Sequence, residues 1–287
     1  MSQAVRRSDS SRYRGDRCAI GGPQGRRHRI AVALIGTIAA YVSGCATWNS
    51  APALPSRDTV TREQLVFHAD FRLPRYHRLL EDLTAQRTYV SNTLDLPVSD
   101  EPIHLYLFEK SYDYREFLRE RYPGVPERRA LFVEEDTRMT VYAHWGDRVA
   151  QDLRHEVTHG YVHAVIRSIP LWLDEGLAEY FEVPQSDSGL HQQHLETLVA
   201  AIAQDAWQPN LPRLEQLSDI SDMRQIDYAE SWLWVHMLLN TSDQRRRLLH
   251  GHLDGLCEGA ATPPLSILLR AEPGIEEELL IHLENLR

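Results

Sequence analysis

Cysteine is scarce in this chain of 287 residues: there are three, Cys18, Cys45 and Cys257. No repeat of 20–50 residues is present, which excludes a solenoid or propeller. The apolar run from Ile30 to Val42 is too short to span a bilayer comfortably as a helix. Positive charge is also missing from most of the chain. Residues 1–44 hold eight of the 31 basic residues but only two of the 41 acidic ones, so the remainder carries about −16. A body this acidic excludes nucleic acid as a partner, because that partner needs a basic face. At 43% hydrophobic and 25% charged residues, the composition is that of a globular protein rather than a disordered one.

The basic residues at the start have a ready explanation. Arg26, Arg27 and Arg29 precede the run IAVALIGTIAAYV, and Ser43, Gly44 and Cys45 follow it. A basic start, a short apolar stretch and small residues at the end describe a secretory signal. The ending Val42-Ser43-Gly44-Cys45 resembles a bacterial lipobox. The expectation is cleavage before Cys45, a lipid on its sulfur, and a body anchored in the bacterial cell envelope, facing the periplasm and in the outer membrane. The stretch ahead of the apolar run is long for such a leader. With Cys18 removed and Cys45 lipidated, Cys257 stands alone and no intramolecular disulfide forms. Residues 46–60 (ATWNSAPALPSRDTV) read as a tether.

Patterning divides the rest in two. Residues 75–94 have helical spacing, Ile103 to Phe108 (IHLYLF) is a short β-rich run, and residues 111–121 are helical again. Ala130 to Val133 and Met139 to Trp145 read as strands. From about residue 148 the pattern is helical throughout: Gln151–Ile166, Leu171–Phe181, His191–Ala203, Tyr228–Leu239, Ser242–Leu256, Leu265–Leu269 and Ile275–Leu286. This predicts an α+β fold, a small mixed sheet with helices followed by an all-helical C-terminal lobe. The expected boundaries are a signal over 1–45, a linker over 46–60, a first lobe over 61–183 and a helical lobe over 184–287.

The chemistry concentrates at residues 155–160, His-Glu-Val-Thr-His-Gly. Positions four apart on a helix lie on nearly the same face, so His155 and His159 can aim their imidazoles at one point. Zn²⁺ accepts nitrogen ligands at about 2.0–2.1 Å. Glu156, turned by about 100°, is placed for a water on the metal rather than for the metal itself. His163 is evenly spaced with the pair, but two turns along it has rotated about 80° and risen about 12 Å, too far to share the ion. The metzincin continuation with a third His is absent. Two solvated histidines on a surface helix is the bland alternative, and the apolar residues of 153–166 argue against it.

Pro170 can open the next helix, Pro-Leu-Trp-Leu-Asp-Glu-Gly-Leu-Ala-Glu-Tyr-Phe. Glu175 and Glu179 face one side of it. One can bind the metal and the other can hold a ligand imidazole through Nδ1–H. His155, Glu156, His159, Trp172, Leu173, Glu175, Gly176, Ala178 and Glu179 together resemble the gluzincin peptidases, in particular the bacterial peptidase MA-like domain. The likeness runs from about Ile103 to Phe181. It implies a zincin-like fold, Zn²⁺ as cofactor, Glu175 as third ligand and a peptide or protein substrate. The remaining carboxylate, Glu179, is then expected on His155, and Gly176 where the two helices approach closely. Tyr228, in Asp-Tyr-Ala-Glu-Ser-Trp, is similar to the family's Y-A-x-S-W segment and is the candidate oxyanion donor. The resemblance also implies that strand 139–145 is the sheet edge on which an extended substrate pairs.

Three protein ligands leave a position for water, the mark of a catalytic site. The expected function is therefore a zinc metallopeptidase with Glu156 as general base. A noncatalytic zinc-containing envelope scaffold is the alternative from another class, and a zinc hydrolase of a small amide is a third. An intact Glu156 speaks against the scaffold.

Overall fold

Leu65, Phe67 and Ala69 alternate with half-buried Val66 and His68, and that two-residue period makes residues 65–69 a strand with one face in the core. The structure is a computed structural model that describes residues 4–6 and 53–287, apart from positions 137 and 271. In chain order the strands are β1 (Ala4–Arg6), β2 (Asp58–Arg62), β3 (Leu65–Ala69), β4 (Ile103–Phe108), β5 (Ala130–Glu135) and β6 (Arg138–His144). The helices are α1 (Arg78–Leu94), α2 (Ser111–Arg121), α3 (Val149–His163), α4 (Leu171–Phe181), α5 (Gln192–Ala203), α6 (Leu211–Leu214), α7 (Gln225–Asn240), α8 (Asp243–Cys257), α9 (Leu265–Leu269) and α10 (Ile275–Asn285). The fold is α+β.

Five strands of the body form a mixed sheet, with the short β1 added at one edge, in the order β1-β5-β6-β4-β3-β2. β2 and β3 form an antiparallel hairpin, β3, β4 and β6 run parallel, and β5 turns back antiparallel on β6. Both faces are covered. Leu105, Phe132 and Val141 point into the main core under α1 and α3. Tyr106, Leu131 and Tyr142 point the other way and pack with Phe117 of α2 in a smaller cluster. The main core continues without a break from the strands to Leu283 of α10.

Two sequence expectations change here. Residues 58–60, read as the end of a tether, belong to β2, and the β2–β3 hairpin had no distinct signal beyond its alternation. The strand at 138–144 is not an edge: β6 lies between β5 and β4, and β5 is the strand that separates it from the rim. The backbone of Ala4–Arg6, inside the segment read as a leader, pairs in parallel with Phe132–Glu134 of β5. The lipobox and Cys45 lie outside the described residues. Among those described, no helix is long and apolar enough to cross a membrane.

Two glycines set how the helices approach. A Cβ on Gly160 would stand 2.8 Å from Ile103 Cδ1, so α3 sits against β4 because nothing larger than hydrogen intervenes. A Cβ on Gly176 would stand 2.7 Å from the Ser231 carbonyl oxygen. The close approach expected of Gly176 is therefore made with α7, not with α3.

Candidate metal centre

α3 is buried nearly all round. A helix in that position is normally apolar on every side, yet α3 buries His155, Glu156, Thr158, His159 and His163. Their polar atoms therefore need partners within the protein. Thr158 donates to the Arg154 carbonyl and accepts from Gln86 Nε2, each at 2.8 Å. His163 lies between two carboxylates, Nδ1 2.8 Å from Glu134 and Nε2 2.9 Å from Asp174.

The two other histidines are tied on one side only. His155 Nδ1 donates to Glu182 Oε2 at 2.8 Å, and His159 Nδ1 to Asp174 Oδ1 at 3.0 Å. Those bonds fix the tautomer of each ring and turn its Nε2 lone pair inward. Both Nε2 atoms, and both carboxylate oxygens of Glu175, are fully buried without a hydrogen-bond partner. Glu175 Oε2 stands 3.5 Å from His155 Nε2 and 4.0 Å from His159 Nε2. These are longer than hydrogen bonds. They approach the roughly 3.3 Å that separates tetrahedral ligands with metal bonds of about 2.0–2.1 Å. Left empty, such a set would cost several kcal/mol in unsatisfied buried groups. One cation satisfies all of them at once, so His155, His159 and Glu175 fit a divalent metal ion.

The electrostatics agree. Burial alone would lower the pKa of His155, but the carboxylates of Glu175 and Glu182 raise it well above the usual imidazole value. The site thus favours positive charge at the point these groups share. Burial also opposes ionisation of Asp174, and the adjacent His163 and His159 nevertheless hold its carboxyl well below the usual carboxylate range. Each metal-facing imidazole is therefore backed by an ionised carboxylate, which makes it a stronger ligand.

Glu156 is the fourth fully buried group. Neither of its oxygens has a hydrogen-bond partner. Burial pushes its carboxyl up to about 7, against the opposing pull of His155, His159 and Arg128. The arrangement provides three convergent donors with an acid–base group beside them.

The structure brings His155, Glu156, His159 and Glu175 together. Glu179 is not the partner of His155. Its Oε2 lies 2.8 Å from His194 Nε2, and Glu182, three residues further on, takes the His155 contact. Glu182 lies one residue beyond α4, at its C-cap, where the chain leaves the helix on its way to α5. It also accepts from His191 Nε2 at 2.6 Å and from Gln151 Nε2 at 2.5 Å. Asp174, the residue before Glu175, is buried and holds His159. Tyr228 is fully buried on α7.

Arg128 was missed. Its guanidinium is buried, which lowers its pKa, while Glu156, Tyr114, Tyr228 and Glu175 pull the other way. It therefore belongs electrically to this centre. Arg129 beside it makes a two-pronged ion pair with Asp152 of α3, with contacts of 2.7–2.9 Å, and so fastens the start of β5 to the metal-facing helix. β5 itself lies against the centre: Phe132 stacks on His159 with ring centroids 5.9 Å apart.

No family model and no curated protein matches the chain. Among solved structures it is similar to a variant of an M1 zinc metallopeptidase from Deinococcus radiodurans, at 17% identity and a TM-score of 0.38, covering 77% of this chain and 47% of that one. The chain thus spans about half the length of the solved protein it matches.

Proposed function

We propose that the centre holds zinc and that the protein hydrolyses peptide bonds, as a metallopeptidase of the gluzincin type. One observation carries this reading: three donors, His155 Nε2, His159 Nε2 and the Glu175 carboxylate, converge without partners, beside a fourth group, Glu156, that is likewise unpartnered. A structural site needs the first three and has no use for the fourth.

A zinc ion held by His155, His159 and Glu175 would supply Lewis acidity toward a carbonyl and a water. Glu156 takes the proton from that water and returns it to the leaving amine. A carboxyl raised to about 7 by burial is close to the working pH for both transfers. Asp174 and Glu182 hold the two imidazoles in register throughout. Arg128 contributes a fixed positive charge beside Glu156, and Tyr228 of α7 is the proposed hydrogen-bond donor to the developing oxyanion.

The test pairs metal analysis with cleavage of a broad peptide library. The wild-type protein is expected to bind one zinc and to cleave. Glu156→Gln is expected to keep the zinc and lose at least a thousandfold in rate. Zinc uptake with no cleavage by the wild-type protein would move the assignment to the noncatalytic scaffold, the reading favoured by the complete burial of all four side chains. Protein that takes up no metal would end both.

Placement in the envelope by a lipid on Cys45, with peptides or proteins there as substrates, is proposed from the sequence. Incorporation of a fatty-acid label that is lost in Cys45→Ser tests it.

A further inference from the structure

The loop that joins β3 to α1, residues 70–77, is fixed at several points. Leu73 is buried, and its N–H donates to Asp58 Oδ2 of β2 at 3.0 Å. Arg62 Nη2 donates to the Arg75 carbonyl at 2.8 Å, so the loop is tied to both ends of β2, the edge strand of the sheet. Phe71 and His77 pack on Trp145, with ring centroids 5.1 and 5.2 Å away. His77 Nδ1 also accepts from the Leu79 N–H and caps α1. What this frame holds outward is Arg72, Arg75, Tyr76 and Arg78, all exposed.

The fold makes no use of these four side chains. Tyr76 is 87% exposed, more than any other large hydrophobic residue described. Arg57, Arg62, Arg72, Arg75 and Arg78 have no carboxylate partner among the described residues, whereas Arg87 and Arg154 are paired with Glu63, Asp100 and Asp82. Arg75 and Arg78 also crowd the N-terminus of α1, where the helix dipole disfavours positive charge, so helix stability does not explain them. The carboxylates of the region are engaged elsewhere or lie further on. Asp58 accepts from the N–H groups of Thr59 and Leu73, and Asp70 from that of Glu109, while exposed Glu81 stands a turn along α1. Residues 71–80 thus hold three arginines and no acid, in a chain that carries about −16 beyond residue 44.

The same rim is where the chain enters the body. Residues 53–57 lead directly into β2, and Asp58 pairs with Ala69 at the foot of the loop. Eight residues separate Cys45 from Ala53, a span of at most about 28 Å when fully extended. A lipid on Cys45 would keep this rim within reach of the bilayer. Arginines around an aromatic ring with a polar tip suit such a surface when it is anionic: guanidinium groups meet headgroup phosphates, and tyrosine settles at headgroup level.

We infer that Arg72, Arg75, Tyr76 and Arg78, with Arg57 and Arg62 beside them, form a docking surface for a bilayer of anionic phospholipid. The surface orients the body on the membrane, and it does not depend on the hydrolase reading.

The test uses the chain from Ala46, without the lipid and the basic leader. It keeps the whole main core, which runs from Val60 to Leu283. Binding is measured by sedimentation with vesicles of phosphatidylcholine alone or with about one third phosphatidylglycerol. The anionic vesicles are expected to bind at least tenfold more tightly, and the difference should shrink as salt is added. Replacing Arg72, Arg75 and Arg78 together by Gln should cost at least about 20-fold. The same loss of charge at Arg119, Arg247 and Arg270, which are exposed on other elements, should cost less than about threefold. Tyr76→Ser should weaken vesicle binding several-fold with the urea midpoint unchanged. Equal losses from the two triple variants, binding indifferent to anionic lipid, or no vesicle binding would each overturn the inference. So would binding of soluble polyglutamate through Arg72, Arg75 and Arg78 by a chain that ignores vesicles, which would make an acidic protein the occupant.

Discussion

His155 Nδ1 rests on Glu182 at 2.8 Å, while Glu179, one turn back along the chain, is committed to His194. The carboxylate that orients the first ligand thus comes from the end of α4 rather than from its ligand-bearing face. Removing its charge should weaken the metal site without removing a ligand. Glu182→Gln and Asp174→Asn are each expected to reduce zinc affinity about 10- to 100-fold. Glu179→Gln should change it less. Competition titration against a chelator of known affinity measures all three, and an effect of Glu179→Gln as large as that of Glu182→Gln would contradict the assignment.

Arg128 lowers the pKa of Glu156 by its charge. Removing that charge, as in Arg128→Gln, raises the Glu156 pKa, so more protons must be withdrawn before the base is available. The acid limb of the kcat/KM profile is therefore expected to move to higher pH. A limb that stays in place would show that Arg128 does not act on Glu156.

At Gly176, α4 packs closely on α7. Gly176→Ala would gain about 1 kcal/mol in helix propensity. That gain is outweighed by a methyl carbon placed 2.7 Å from the Ser231 carbonyl and 2.9 Å from Val235 Cγ2. Backbone cannot yield as a flexible side chain would, and overpacking of this kind costs about 1–3 kcal/mol. The net expectation is a loss of up to about 2 kcal/mol, read as a lower urea midpoint with and without metal.

His236 and His282 face each other across α7 and α10, Nδ1 to Nε2 at 2.9 Å. Burial pushes both down to about 4, reinforced at His236 by His282 and at His282 by Arg245. In the unfolded chain both titrate near 6.5. The unfolded state therefore binds protons that the folded state refuses, and stability must fall as pH drops from about 6.5 toward 4. A loss on the order of 2 kcal/mol for each histidine by pH 4.5 is expected, less for His282, which is only partly buried. His282→Gln should flatten the dependence. Urea denaturation at pH 7, 6 and 5 compares the two slopes.

Much of this was legible in the residues themselves. Helix α4 runs over the predicted residues, and α3 is displaced by only two or three residues at each end, because apolar spacing and Pro170 marked them. His155, Glu156 and His159 were placed by helical geometry alone, since four-residue spacing leaves few alternatives. Glu175 and Glu179 could not be separated by spacing, because both point to one side of α4. The partner of His155 was missed for a related reason: Glu182 lies past the helix end, where periodicity carries no information. Asp174 carried no signal of its role, because an acidic residue near a helix start usually caps it, whereas here two histidines of α3 draw it inward. Arg128 had no local signal at all, since its neighbourhood is assembled from α2, α3, α4 and α7. The strand order failed similarly, because residues 130–133 and 138–144 are both β-rich and only pairing decides which becomes interior.

The complete burial of His155, His159 and Glu175 bears on how the ion would come and go. With its donors fully buried, an ion held there would leave, and a substrate would reach it, through a local opening of the fold. Release to a strong chelator should then proceed at a rate that stops rising once chelator is in excess. Loading would be easiest while the chain is still folding, before the helices close around the donors.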